Sequence, residues 1–495
     1  MRNTSMRHIG IGMVCLLLLS SCSGGTDSST TSATQPPEEP IVDTSTQAES
    51  TTSAAPALTT PHSEPEVEIW AGDIAGQMIE FQFVIDDAGT VNGLVKSPSE
   101  GGPDVPINGV VTGSSVTIKI PAADAMFEGE VDGTTMTGTW YQSGAEIPAV
   151  FELRETPLIL ARPQEPTPPF PYEATDVRFE NGEISLAGTL VVPEGEGPFP
   201  AVVLSSGSGS QDRDETIVGH KPFLVLSDAF AVAGIASLRV DDRGVGGSTG
   251  DPVGATSADL ATDTTSAVQF LAADDRFNSI GIVGHSEGGI IGPMVANDSD
   301  AIDLVVLLAG PGLPGLDVLL RQTEDLMRVE GASEADIAWQ LSWRREIMEV
   351  SASSVPEGEA AEAIRTIVSA ALQNPPAGVT EALDPSMTEQ FVAAFTDPWM
   401  RFFLAYDPAP ALEDLGIPTL ALIGSLDVQV SAEENIPALE AALETNAEAT
   451  VLELEGLNHL FQNAETGAVS EYARIEETFS PEAIDLIIAW ILNQS

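Results

Sequence analysis

Gly284-His285-Ser286-Glu287-Gly288-Gly289 follows the apolar run Ile280 to Val283 and leads into Ile290-Ile291. A β-branched run, a turn of small residues and an apolar helix start form the strand–turn–helix setting in which G-x-S-x-G lifts a serine hydroxyl to a helix N-terminus. Outward from this turn, short apolar runs recur at Leu190 to Val192, Ala201 to Leu204, Ile235 to Val240, Leu304 to Leu308, Thr419 to Ile423 and Thr450 to Leu454. Helix-length amphipathic stretches such as Pro222 to Ala233 and Ala258 to Ala273 lie between several of them. That alternation predicts an α/β domain over residues 170–495 with a doubly wound, mostly parallel sheet. The interval from about 313 to 407 carries helical patterns without strands, at Val318 to Met327, Glu334 to Val350, Glu359 to Leu372 and Thr388 to Phe395. It reads as an inserted helical cap.

A serine hydroxyl is a poor nucleophile until a base takes its proton, so the histidines decide whether Ser286 can react. There are five, His8, His62, His220, His285 and His459. The first two lie near the N-terminus, His220 lies in a loop before Lys221-Pro222, and His285 beside the serine reads as a strand-end packing residue. His459, in the loop Gly456 to Phe461 after the last strand, is the expected base. An acid should lie between serine and histidine at a strand end, and Asp427 in Gly424-Ser425-Leu426-Asp427 fits better than Asp407 or Asp414, which precede that strand. An oxyanion needs two N–H donors. The expected pair is Glu287, the residue after the nucleophile, and Ser208 in the glycine-rich loop Ser205-Ser206-Gly207-Ser208-Gly209-Ser210. A phosphate-cradling loop is excluded there, because the lysine it needs is absent.

With Gln211-Asp212-Arg213-Asp214-Glu215, Asp241-Asp242-Arg243-Gly244-Val245-Gly246 and the motifs above, residues 170–495 resemble bacterial α/β-hydrolases of the EstD-type carboxylesterase group. That group borders dienelactone-hydrolase-like, acyl-CoA thioesterase-like and serine-aminopeptidase-like hydrolases. The resemblance implies Ser286, Asp427 and His459 as a triad, no metal or organic cofactor, and a small-molecule ester as substrate. It departs from the superfamily at the oxyanion loop, where many members have His-Gly and this chain has Ser206-Gly207. The charged residues at 212–214 and 241–243 are expected to pair and brace the loops around the site.

Ahead of this domain, residues 66–160 alternate in the manner of strands, with turn signals such as Asp86-Asp87-Ala88-Gly89 and Val131-Asp132-Gly133-Thr134. A small antiparallel β-domain is expected, with Trp70, Phe127, Trp140 and Tyr141 as core rather than as a ligand groove. Residues 1–21 place Arg2, Arg7 and His8 before an apolar run and lead through Leu19-Ser20-Ser21 into Cys22. This resembles a lipoprotein signal peptide with Cys22 as the lipidated residue, which implies a membrane anchor on the extracytoplasmic face. Residues 22–65, rich in Ser, Thr, Pro and Glu, read as a disordered tether.

Across 495 residues, 75 Asp and Glu oppose 19 Lys and Arg, for a formal net charge of -56. So acidic a chain does not grip nucleic acid by its own charge. The 43% hydrophobic content nevertheless requires globular structure. Both cysteines, Cys15 and Cys22, precede the folded body, which excludes a disulfide scaffold, a thiolate metal site and a cysteine nucleophile within it.

Overall fold

The computed structural model describes residues 67–494, apart from 75–76, 98–103, 124, 143–144, 158–160, 380–382 and 384. The signal-peptide, Cys22 and tether readings lie outside the described residues.

Eight strands form the first unit: β1 (Glu68–Ile74), β2 (Gln77–Ile85), β3 (Thr90–Lys96), β4 (Val105–Thr112), β5 (Ser115–Ile120), β6 (Ala125–Asp132), β7 (Thr135–Gln142) and β8 (Ala145–Arg154). Each pairs antiparallel with the next, and β1 returns to β8 with Ile69 opposite Arg154, so the sheet closes into a barrel without free edges. Period-two alternation drives one face inward. Phe81, Phe127, Trp140 and Phe151 meet at the centre, with Phe81 and Phe151 4.9 Å apart between ring centroids. Trp70 also belongs to this core, whereas Tyr141 is only half-buried.

The second unit holds β9 (Tyr172–Asn181), β10 (Ile184–Pro193), β11 (Phe199–Ser205), α1 (Pro222–Ala233), β12 (Ala236–Val240), α2 (Ser257–Ala272), β13 (Phe277–His285), α3 (Gly288–Asn297) and β14 (Leu304–Leu308). After an insertion it resumes with β15 (Thr419–Gly424), α10 (Ala432–Ala442), β16 (Ala449–Leu454), α11 (Val469–Tyr472) and α12 (Pro481–Gln494). The eight strands run in the order β16-β15-β14-β13-β11-β12-β10-β9. All pairings from β12 through β11 to β16 are parallel, and only β10 opposes both of its neighbours.

Two apolar layers explain why the central strands read as unbroken hydrophobic runs. On β14, Val305 and Leu307 face the layer of Val268, Leu271 and Ile291 from α2 and α3; Leu304, Val306 and Leu308 face Phe230, Ile487 and Ile491 from α1 and α12. The edge strand β9 exposes Glu173, Asp176 and Glu180. Such charges oppose pairing with a further strand.

The insertion between β14 and β15 contains α4 (Gly315–Val329), α5 (Glu334–Ala352), α6 (Glu357–Gln373), α7 (Thr388–Thr396), α8 (Pro398–Ala405) and α9 (Ala409–Glu413). It has its own core of Trp339, Trp343, Ile347, Val368, Phe391 and Phe395. Helix α8 has no counterpart in the sequence reading. Asp397 caps it by accepting from the Trp399 N–H at 2.9 Å, with Pro398 in the first turn. The Asp-Pro pair was the available signal.

Candidate active site

The turn between β13 and α3 holds Ser286 at φ +52, a conformation that a non-glycine residue adopts only when its surroundings fix it. Its neighbours do so by proximity. A Cβ at Gly284 would stand 2.0 Å from the Gly288 carbonyl oxygen, and one at Gly288 would stand 2.1 Å from that of Ser205. Only glycine fits at either position, and the Ser286 N–H is tied to the Leu308 carbonyl at 2.8 Å. The hydroxyl is thereby presented at the C-terminal edge of the sheet, at the start of α3.

Asp427 lies in the turn after β15 with its side chain fully buried. Its Oδ1 accepts the N–H groups of Gln429 and Val430, each at 2.8 Å, and its Oδ2 receives His459 Nδ1 at 2.8 Å. That bond places the proton on Nδ1 and leaves His459 Nε2 able to accept one. The histidine loop is shaped by buried Asn458, whose Oδ1 accepts from the N–H groups of Leu460 and Gln462. Gly424 lets this loop approach, since a Cβ there would meet the Leu457 carbonyl oxygen at 2.1 Å.

Ser286, His459, Glu287 and Ser208 line one cavity of about 190 Å³. Asp427 stands behind His459. The loop after β11 lies against Ser286, because a Cβ at Gly207 would be 3.2 Å from Ser286 Cβ. The Gly207 N–H is already donated to Glu215 Oε1 at 2.6 Å, whereas among the described residues the N–H groups of Ser208 and Glu287 have no acceptor. Those two remain open for an oxyanion. Helices α4, α5 and α8 roof the cavity with Leu319, Leu326, Met348, Trp399 and Phe403, so its walls are largely apolar.

His285, read from the sequence as a packing residue, does more than pack. It is buried with Nδ1 on Glu215 Oε1 at 2.9 Å and Nε2 on the His459 carbonyl oxygen at 3.0 Å. Burial disfavours its charged form, but the charge and hydrogen bond of Glu215 outweigh this and raise its pKa. Glu215 thus joins the loop after β11, the serine turn and the backbone of His459. Glu287 makes a second junction through its side chain, where Oε1 accepts from Ser257 Oγ at 2.5 Å on α2 and from Trp399 Nε1 at 2.8 Å on α8. Burial raises its pKa against the effect of those two bonds. Sequence spacing could not find either junction, because the partners lie 70 and 112 residues apart.

Of the charges expected to brace the loops, Arg213, Asp214, Asp241 and Arg243 form ion pairs. Arg213 spans Asp241 and Asp176, Arg239 pairs with Asp214, and Arg243 pairs with Asp263 rather than within its own segment. Among the described residues Asp242 has no ion-pair partner; it accepts from Ser206 Oγ at 3.2 Å and from the Gln211 N–H at 2.8 Å, holding the loop after β11.

A serine turn, a histidine held by a carboxylate and two free N–H groups around one cavity constitute equipment for acyl transfer. Esterase EstD of Thermotoga maritima is 26% identical over 318 residues, spanning 64% of this chain and 68% of that protein. Among solved structures, an esterase of Pyrococcus furiosus aligns over 69% of this chain and 99% of its own at 14% identity and a TM-score of 0.42. A dienelactone hydrolase of Anabaena variabilis aligns over 65% and 98% at 16% identity and a TM-score of 0.36. A family model described as X-Pro dipeptidyl-peptidase (S15 family) matches residues 181–459, which run from the end of β9 through the serine turn, the cap and Asp427 to His459 itself. Because that match takes in more than half of the chain, the chain belongs to the X-Pro dipeptidyl-peptidase (S15) family of hydrolases.

Proposed function

We propose that this hydrolase is a serine carboxylesterase that cleaves short esters through an acyl-enzyme. The observation that carries the reading is the 2.8 Å bond between His459 Nδ1 and Asp427, beside a serine presented at φ +52 and two undonated N–H groups. His459 Nε2 takes the Ser286 proton as Oγ attacks the ester carbonyl. The oxyanion is received by the N–H groups of Glu287 and Ser208, while Asp427 stabilises the imidazolium. The same histidine then protonates the departing alcohol, and water repeats the cycle to release the acid. A cavity of about 190 Å³ is somewhat larger than the about 150 Å³ that accommodates benzene, so it suits a short acyl chain or a single ring.

Membership of the S15 family favours a second reading, cleavage of aminoacyl or dipeptidyl amides by the same residues. A panel of p-nitrophenyl esters from acetate to dodecanoate, with X-Pro p-nitroanilides and acyl thioesters alongside, separates these readings. The ester reading predicts highest kcat/KM at two to about six carbons. Faster turnover of the anilides would replace it with the peptidase reading. Ser286→Ala is expected to abolish fluorophosphonate labelling and lower kcat by at least about 10³-fold. No labelling of the unaltered protein would instead support an inert, ligand-binding role.

We further propose an extracytoplasmic, lipid-anchored location through Cys22, supported by the sequence around it. Cys22→Ala should move the protein from the membrane fraction to the soluble fraction; unchanged partition would refute the anchor.

A further inference from the structure

Tyr472, at the end of α11, is buried and lines the cavity together with Gln429 and Gln322. Its hydroxyl oxygen accepts from Gln429 Nε2 at 3.0 Å. Gln429 lies in the turn that holds Asp427, where its own N–H is bonded to Asp427 Oδ1 at 2.8 Å. Its Oε1 in turn accepts from Gln322 Nε2 at 3.3 Å, on the cap helix α4. From the cap inward each amide donates to the next group, so the chain has a direction. It ends on the Tyr472 proton, for which no described residue provides an acceptor.

That proton is not lost by ionisation, because burial, followed by the charge of Asp427, raises the pKa of Tyr472 far above neutrality. A buried hydroxyl donor without an acceptor is unfavourable. Here it faces a cavity that takes apolar walls from Val318, Leu319, Leu326 and Met348 and polar groups such as Gln322, Thr323 and Arg344, none of which accepts from it, so the acceptor that completes the chain is one that enters the cavity.

We propose that Tyr472 is a specificity-determining donor for an acceptor oxygen within the buried part of the substrate. The substrates are then short esters bearing a keto, ether or hydroxyl oxygen, in preference to plain hydrocarbon esters of the same shape. This inference rests on the esterase reading given above and narrows its substrate class. The geometry gives the donor a fixed position on the α11 side of the cavity, held there from the cap by two amides. A site built to satisfy a hydrogen bond discriminates against a substrate that leaves its polar group unpaired.

The test compares isosteric pairs: p-nitrophenyl methoxyacetate with butyrate, and p-nitrophenyl 4-oxopentanoate with 4-methylpentanoate. Their different intrinsic reactivities cancel when Tyr472→Phe is compared with the unaltered enzyme. The kcat/KM ratio of oxygenated to hydrocarbon ester should fall about tenfold or more in Tyr472→Phe for at least one pair. Gln429→Leu, which leaves the tyrosine hydroxyl without its donor, should lower the same ratio less. Ratios unchanged within about twofold, whether the individual rates hold or fall together, would overturn the inference and leave Tyr472 a structural residue. Fluorophosphonate labelling of Ser286 is read on the same preparations. Labelled enzyme that turns over none of the four esters overturns the ester reading and this inference with it; labelled, ester-active enzyme with unchanged ratios overturns the inference alone.

Discussion

Asp242 shows what a single carboxyl can do to this site. Burial pushes its pKa up to about 8, with Glu287 and Glu215 adding to the rise and the bonds from Gln211 and Ser206 opposing it. The ordinary aspartate value is 3.8, so between that pH and about 8 the folded chain holds a proton that the unfolded chain has lost. Stability from this group is full below the unfolded value and is lost as pH rises through the folded one. Asp242→Asn, which removes the charge and keeps one of the two acceptor oxygens, should flatten the decline of Tm between about pH 4 and 8. Parallel Tm profiles for the two proteins would show that Asp242 is not the titrating group. Nothing in Asp241-Asp242-Arg243 separates these roles, because the segment reads as adjacent charges. The fold sends Asp241 to Arg213, Asp242 to the oxyanion loop and Arg243 to α2. For the same reason His285 reads as a packing residue in the sequence: its partner Glu215 arrives through tertiary structure.

At the scale of elements, the serine turn was legible in the sequence because its requirement is local. Gly284 and Gly288 are demanded by backbone approaches near 2 Å. The cap was legible as helices, but its seating was not. Trp399 on α8 reaches Glu287 in the serine turn, whose N–H is one of the two proposed oxyanion donors. Trp399→Phe removes that hydrogen bond while retaining an aromatic ring to stack on Phe403, whose centroid lies 5.4 Å away. The expected result is a loss of about 1 kcal/mol in urea unfolding, with a several-fold rise in KM as the cap loosens. Trp399→Ala also empties the half-buried packing position and should cost more, about 2–3 kcal/mol. A Trp399→Phe loss near zero beside a large Trp399→Ala loss would mean that the ring's volume, and not its N–H, holds the cap. Helix α8 shows the limit of pattern reading, because an eight-residue helix with an aromatic-rich face offers little periodicity beyond its Asp-Pro start.

For the whole molecule, the charge of -56 bears on stability more than on partners. Many of the acids are exposed, as on β9, where Glu173, Asp176 and Glu180 face solvent. Self-repulsion over such a surface opposes the compact state and is screened by salt, the Debye length falling from about 10 Å at 0.1 M to about 3 Å at 1 M. Raising NaCl from 0.05 to 1 M should therefore increase Tm by several degrees, most of it by about 0.5 M. A melting temperature independent of NaCl would show that self-repulsion contributes little to the stability of the fold.

The sequence by itself determined the order of elements, the two apolar faces of the sheet, the alternating inward face of the β-domain and the residue types at the serine turn. Each of these depends on neighbours along the chain: alternation at period two, glycine where backbones meet, and apolar runs where both faces are covered. It also named Ser286, Asp427 and His459 by their positions at strand ends. Only the tertiary structure decided what stands around them: the Glu215–His285 junction, the contact of Trp399 with Glu287, and the directed chain from Gln322 through Gln429 to Tyr472. The physical reason is that hydrogen bonds between side chains of different elements depend on packing, which brings residues 43 to 112 positions apart within 3.3 Å of one another and leaves no periodic trace in the sequence.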